Sequence, residues 1–333
     1  DLVWEVAARA ETAKASGRCH AAAYFDCSKC YERVRHDIAI KDALDTGCDP
    51  VIVALCFAMY GQKRTISVHG AEIRGISADR GLLAGCGFAV HYLKAVVNVR
   101  IKGENDVRDY VDDVVLQEEA DSPEATVSRL KLGVSQVRDR FGGIGQVLND
   151  AKEQVFVPTM ATMRSWIRMN PGYSGKVGKS VKDLGVGFSA VGVRSPDRGD
   201  RVDRAIGVCS RVRALTMGPL AKKVIIKAAA QSVALYGVAV DPLTVSQIGR
   251  LRRAYSAAIW PKKCMASNGV GLLLVDRGRL DPQLEVVKRV VVAYVKHARR
   301  GLPNAVWGAW ESISGHLGKY KGPISNYVRV IGW

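Results

Sequence analysis

Three aspartates stand where aspartate is hard to accommodate. Asp26 closes the apolar run Ala21-Ala22-Ala23-Tyr24-Phe25, and Asp112-Asp113 sit between the two short apolar arms of residues 106–117. Aspartate is a poor strand former and is costly to bury without a partner. Acids at the ends of apolar elements suit a divalent cation. Mg²⁺ prefers hard oxygen ligands and takes one or two carboxylates plus substrate phosphates. Two such ions about 3.5–4 Å apart activate an attacking oxygen and stabilise a leaving one in phosphoryl transfer. Taken singly, each site also fits a plainer role: Asp26 as the cap of a following helix, Asp112-Asp113 as an ordinary turn.

The elements that would position these acids can be read from periodicity. Apolar residues at helical spacing (Leu2, Val3, Val6, Ala10, Ala13) predict a helix up to Ser16, stopped at Gly17. The run ending at Asp26 predicts a buried strand. Helices are expected over His36–Thr46, Pro50–Tyr60, Cys86–Ile101 and Pro123–Phe141. Arg64–Val68 and Glu72–Ile76 alternate around His69-Gly70 and predict a hairpin. Residues 106–117 predict a second hairpin with acids at its tip. Gln154–Val157 reads as a strand, Met169–Lys179 as a loop, and Lys182–Phe188 as extended. Beyond Pro196 the pattern is helical throughout: Arg198–Thr216, Pro219–Tyr236, Val245–Trp260 and Gln283–Arg299. Strands mixed with helices followed by helices alone define an α+β class, divided here as 1–193 and 194–333.

Charge points to a partner. The 333 residues hold 49 Lys plus Arg against 32 Asp plus Glu, a formal excess of 17 positive charges. A protein this basic usually meets a polyanion, with nucleic acid the default and a generally basic surface the alternative. The excess gathers in the helical half: 14 basic and 4 acidic residues lie between Arg194 and Lys263. Of the eight cysteines, only Cys27 and Cys30 form a C-x-x-C pair. No second pair follows at zinc-finger spacing, so they are expected as reduced thiols of an intracellular protein, nuclear or cytoplasmic and not secreted. No apolar run reaches the length of about 18 residues that a membrane span needs.

Several segments resemble the reverse transcriptases, most closely those of non-LTR retrotransposons. Phe25-Asp26-Cys27-Ser28-Lys29-Cys30-Tyr31-Glu32-Arg33-Val34 is similar to the family's first palm motif, F-D-x-S-K-A-F-D-x-V, and His36-Asp37 continues it. Tyr110-Val111-Asp112-Asp113 resembles the Y-x-D-D box and is followed by apolar Val114-Val115-Leu116. Asn149 and Lys152, before Val155-Phe156-Val157, resemble N-x-x-K-T. Leu184-Gly185-Val186 resembles the L-G segment that leads to the primer grip, and Leu235-Tyr236-Gly237 a tail motif of the same group. The likeness runs from about Ala21 to Gly237.

The resemblance implies a right-hand polymerase palm, an antiparallel sheet flanked by helices, followed by a mostly helical thumb. It implies RNA-directed DNA polymerase activity on an RNA template and DNA primer with dNTP. Asp26 and Asp112 would hold two Mg²⁺ (or Mn²⁺) ions, with Asp113 supporting them and the Cys27 carbonyl adding a ligand. Tyr31 would lie under the incoming sugar, Gly85 would let the base pair approach, and Lys152 would protonate the pyrophosphate. Arg211, Arg213, Lys222, Lys223 and Lys227 would hold the nucleic-acid backbone. One segment departs from the family: Gly81-Leu82-Leu83-Ala84-Gly85-Cys86-Gly87 stands where G-x-x-Q-G-x-P is usual, so Ala84 replaces a glutamine that contacts nucleotide and template. Only about 25 residues precede Asp26, so the fingers are expected to be largely absent. A catalytically degenerate nucleic-acid-binding remnant is the alternative.

Overall fold

The computed structural model describes residues 2–83, 85–101, 107–111, 113–190, 197–241, 243–260 and 268–299. Asp112 and Ala84 therefore lie outside the described residues. The chain divides into two compact units, residues 19–178 and residues 3–18 together with 179 onward. These units meet in sequence at 178/179. Helix α1 (Leu2–Ala15) also groups with the C-terminal unit, a long-range association that local periodicity does not encode.

The unit of residues 19–178 is built on β1 (Cys19–Asp26), α2 (Cys30–Arg33), α3 (His36–Asp45), α4 (Pro50–Tyr60), the hairpin β2 (Arg64–Val68) and β3 (Ala71–Ile76), α5 (Ala89–Val96), β4 (Val107–Tyr110), β5 (Asp113–Ala120), α6 (Pro123–Gly143), β6 (Gln154–Phe156), α7 (Met160–Met169) and β7 (Lys176–Gly178). Five strands form one sheet in the order β4-β5-β1-β6-β7. Only the β6–β7 pairing is parallel. Strand β1 is central and buried at all but its two end residues. That is why its sequence is a near-continuous apolar run rather than an alternation.

One sheet face carries Ala21, Ala23, Phe25, Val114 and Leu116 into a core shared with Val127, Leu130, Val134, Val137 and Phe141 of α6. Each such side chain contributes roughly 1.5–3 kcal/mol by leaving water. Helix α6 begins at Ser122, whose hydroxyl accepts from the Ala125 N–H, with Pro123 at the first helical position.

Two expectations need revision here. The helix expected over Cys86–Ile101 starts only at Ala89, after turns at Gly85 and Gly87, and widens into a π-helical turn over Val97–Ile101. That turn carries Arg100, which grips the fully buried Asp42 of α3 with both its Nε and an Nη. Helix α7 was not anticipated. Thr159 caps it, and its Trp166 is buried in the core.

The C-terminal unit holds the hairpin β8 (Ser180–Asp183) and β9 (Val186–Ser189), then α8 (Asp197–Ala214), α9 (Pro219–Ile225), a π-helical stretch Ile226–Gln231, α10 (Ser232–Ala234), α11 (Val245–Ile259), α12 (Asn268–Asp276) and α13 (Pro282–Arg299). Its helices close over Val202, Ala205, Cys209, Ile226, Leu251, Tyr255 and neighbours. Asp241, almost fully buried, is held by Arg198 and Arg201. The α+β class and the helical character of the C-terminal part agree with the sequence expectation. Among the described residues, no helix is long and apolar enough to cross a membrane.

Candidate active site

The site begins with a register. Across the antiparallel β1–β5 ladder, Asp26 stands directly opposite Asp113. Opposed residues of such a pair lie about 4.5–5.5 Å apart at Cα and project to the same face. On the other side of β5, Asp113 stands opposite Tyr110 of β4, which is exposed. The row Asp26–Asp113–Tyr110 thus crosses three neighbouring strands at one end of the sheet. Like charges directly opposite one another in a ladder are destabilising.

The β4–β5 connection is tight and strained. Residues 111 and 112 alone link Tyr110 to Asp113, and Val111 has φ +65°. A β-branched residue in the left-handed region is an outlier, with a cost on the order of 1–3 kcal/mol. Val111 packs against the core of this unit, which helps to hold it there.

A second loop closes on β1 from behind. The Ser28 N–H donates to the Val147 carbonyl (2.8 Å), and the Asn149 N–H donates to the Asp26 carbonyl (2.9 Å). The following turn brings the Lys152 ammonium onto both carboxylate oxygens of Asp26, at 3.1 Å each. The Asp26 side chain is 31% exposed and that of Lys152 62%, so the pair is open to solvent. Lys152, expected to protonate a leaving pyrophosphate, is thus placed beside the first aspartate.

Residues that sequence reasoning passed over brace this loop. Gln146 is buried; its Oε1 accepts from the Cys27 thiol (3.1 Å) and its amide donates to the Cys30 carbonyl (3.2 Å). Lys29, between them, adopts φ +53° to turn the chain from β1 into α2. Arg138 of α6 pairs with Asp150 (2.9 Å) and with the buried Glu153, so it straddles Lys152 in sequence. Burial pushes Glu153 above the usual carboxylate range, opposed by the Tyr173 hydroxyl and Arg138. Burial also raises Tyr173. One signal for Glu153 was present: an acid directly before the strand β6.

The segment before Gly85 docks on the first motif. Gly81 N–H donates to the Val34 carbonyl (2.8 Å), Leu82 N–H to the Tyr31 carbonyl (2.9 Å), and His36 Nε2 lies 2.9 Å from the Gly81 carbonyl. Gly81 has φ +93°, and a Cβ there would meet the Glu32 carbonyl at 3.2 Å. Tyr31 is half-buried against the core. Gly85 is exposed, with φ +85° and open space where a side chain would be.

In the C-terminal unit two further segments meet. The Tyr236 hydroxyl donates to the Leu184 carbonyl (2.8 Å). Gly237, at φ +67°, lies so close to Val186 that a Cβ would come within 2.5 Å of its methyls. Of the five cations expected to meet nucleic acid, Arg211 and Arg213 are exposed near the end of α8. Lys223 and Lys227 pair with Asp276 at 3.2 and 3.6 Å. Lys222 is 3% exposed, and its ammonium caps α8 through the Arg213 carbonyl (3.0 Å).

Among the described residues no three His, Cys, Asp or Glu side chains converge to hold a metal ion. Asp26 and Asp113 are two such carboxylates in facing register, and Asp112 lies outside the described residues. Asp26 already takes a cation, the Lys152 ammonium, on both oxygens. Hard oxygen donors of this kind suit Mg²⁺ or Mn²⁺.

No family model and no curated protein sequence matches the chain. Solved structures similar to it include telomerase from Candida albicans in complex with a TWJ fragment of telomeric RNA, at TM-score 0.43 and 11% identity over 100% of this chain and 54% of that one. Telomerase from Candida tropicalis, with the same kind of RNA fragment, aligns at TM-score 0.40 and 9% identity over 91% and 51%. The chain spans about half the length of those telomerase chains. Similarity of this extent defines no family, and the functional reading rests on the site itself.

Proposed function

We propose that the chain is an RNA-directed DNA polymerase domain of non-LTR retrotransposon type. The observation that carries this reading is the register of Asp26 against Asp113, with Lys152 returned to the same carboxylate. Acids that the sequence separates by 87 positions face each other at one end of the sheet, in the motif order of a polymerase palm.

In the proposed reaction a primer 3′-hydroxyl attacks the α-phosphate of a dNTP, and pyrophosphate leaves. Asp26 and Asp112, with Asp113 supporting them, would hold two Mg²⁺ or Mn²⁺ ions, which when bound neutralise charge on the attacking and leaving oxygens. The Cys27 carbonyl would join that ligand set. Asp26 and Asp113 are held in place by the ladder, so little reorganisation is needed. Lys152 would give its proton to the leaving pyrophosphate. Tyr31 would lie under the sugar, and the open space at Gly85 would admit the base pair. Arg211 and Arg213 would contact the primer–template backbone without reading its sequence.

The test is extension of a DNA primer on an RNA template by the purified chain with Mg²⁺ and dNTP. Asp112→Asn should abolish it; robust extension by that variant would sink the assignment. A second reading is favoured by Ala84, which cannot hydrogen-bond to nucleotide or template as glutamine does: a remnant that binds nucleic acid without polymerising. It is supported if the wild-type chain binds RNA or DNA in a salt-sensitive way yet incorporates no nucleotide.

A further inference from the structure

We infer that Lys152 is a built-in counter-cation for Asp26, and that a divalent ion displaces its ammonium on binding. The inference rests on the metal-binding reading given above. Three features support it. The ammonium is equidistant, at 3.1 Å, from both Asp26 oxygens, so it covers the donor atoms that a metal ion would need. Asp113, in facing register, places a second carboxylate at the same end of the sheet. The turn that carries Lys152 is held in place, its own N–H donating to the Asn149 carbonyl (3.0 Å). Asn149 is tied to the Asp26 carbonyl, and Asp150 and Glu153 are tied to Arg138. The side chain itself is 62% exposed and has room to leave.

Arg138 pairs with the side chains of Asp150 and Glu153 on either side of Lys152, so the released ammonium stays beside the site instead of drifting away. Metal loading and liberation of the lysine thus become one exchange. The lysine is committed to Asp26 while the edge is empty and becomes free to face a substrate phosphate once a divalent ion arrives. No bond is made or broken in this exchange; one cation replaces another on the same carboxylate.

The experiment uses the full chain and Mn²⁺ alone. Calorimetric titration should give tighter Mn²⁺ binding for Lys152→Met than for wild type, by about two- to five-fold, the range set by a solvent-open ion pair. Lys152→Arg, which rebuilds the pair, should bind as wild type does or more weakly. Acetylation of Lys152 by acetic anhydride, followed by mass spectrometry, should speed up in wild type when Mn²⁺ is added. Equal Mn²⁺ affinity in Lys152→Met and wild type, or a Lys152 acetylation rate indifferent to Mn²⁺, overturns the inference. Asp26→Asn separates the two levels: if it binds Mn²⁺ as wild type does, the metal-binding reading itself fails.

Discussion

At the scale of single residues, the site is a set of side chains each held by a contact distant in sequence. Asp26 stood out in the sequence, because an acid ending an apolar strand asks for an explanation. That it would meet Asp112-Asp113 was expected only through the motif resemblance, and the register that sets it opposite Asp113 was not legible, since register is fixed by a ladder between segments far apart in the chain. Gln146 gave no signal at all; its role exists only because two loops meet. Gln146→Leu should cost about 1–3 kcal/mol in urea unfolding, because it leaves the buried Cys30 carbonyl without its donor. An unchanged midpoint would show that the Cys27–Cys30 turn needs no such brace. Gly237→Ala should be harsher. It combines a left-handed backbone with a clash against Val186, and a loss of about 2–4 kcal/mol is expected from overpacking plus strain. Thermal melting of that variant close to the wild-type temperature would contradict the close approach.

At the scale of elements, β1 and β5 place the acids and α6 steadies the loop that carries Lys152. The strand, the hairpin and the long amphipathic helix could each be read from local pattern. Helix α7 was passed over, although Met163, Trp166 and Met169 stand at helical spacing behind the Thr159 cap, because it lies between segments read as strand and loop. The anchoring of Arg138 was equally hidden: on a helix surface an arginine reads as solvated until its buried partner is seen. Glu153 is 2% exposed while the Arg138 side chain is 39% exposed. Arg138→Met should therefore cost about 2 kcal/mol, below the 3–5 kcal/mol of a fully buried pair. The raised Glu153 carboxyl also sets a pH dependence. Its contribution to stability is complete below the ordinary value of 4.5 and is lost as pH rises through the elevated folded-state value. Wild type should accordingly lose stability relative to Glu153→Gln between pH 4 and 7 in denaturant titrations. A stability difference that stays flat with pH would show that Glu153 ionises as freely as in the unfolded chain.

At the scale of the whole molecule, an excess of 17 positive charges sets the expected partner class but not the residues that meet it. Composition could not tell Lys222, which faces inward and caps a helix, from the neighbours that share its sequence environment. If Arg211 and Arg213 each neutralise a phosphate, replacing both by Ala should lower the slope of log affinity against log salt by about 2 on duplex DNA. Lys222→Met should leave that slope unchanged. A filter-binding series across salt concentrations distinguishes the two. The grouping of residues 3–18 with the C-terminal unit was equally beyond local reading, since it joins segments far apart in the chain. The central claim is that Asp26 and Asp113 form one catalytic edge for nucleotide addition. It is tested most directly by following Mg²⁺-dependent single-nucleotide addition to a DNA primer on an RNA template, in wild type and in Asp26→Asn. Addition by wild type, with loss of at least about a hundredfold in the variant, is the expected result. Addition at the same rate by both proteins would contradict it.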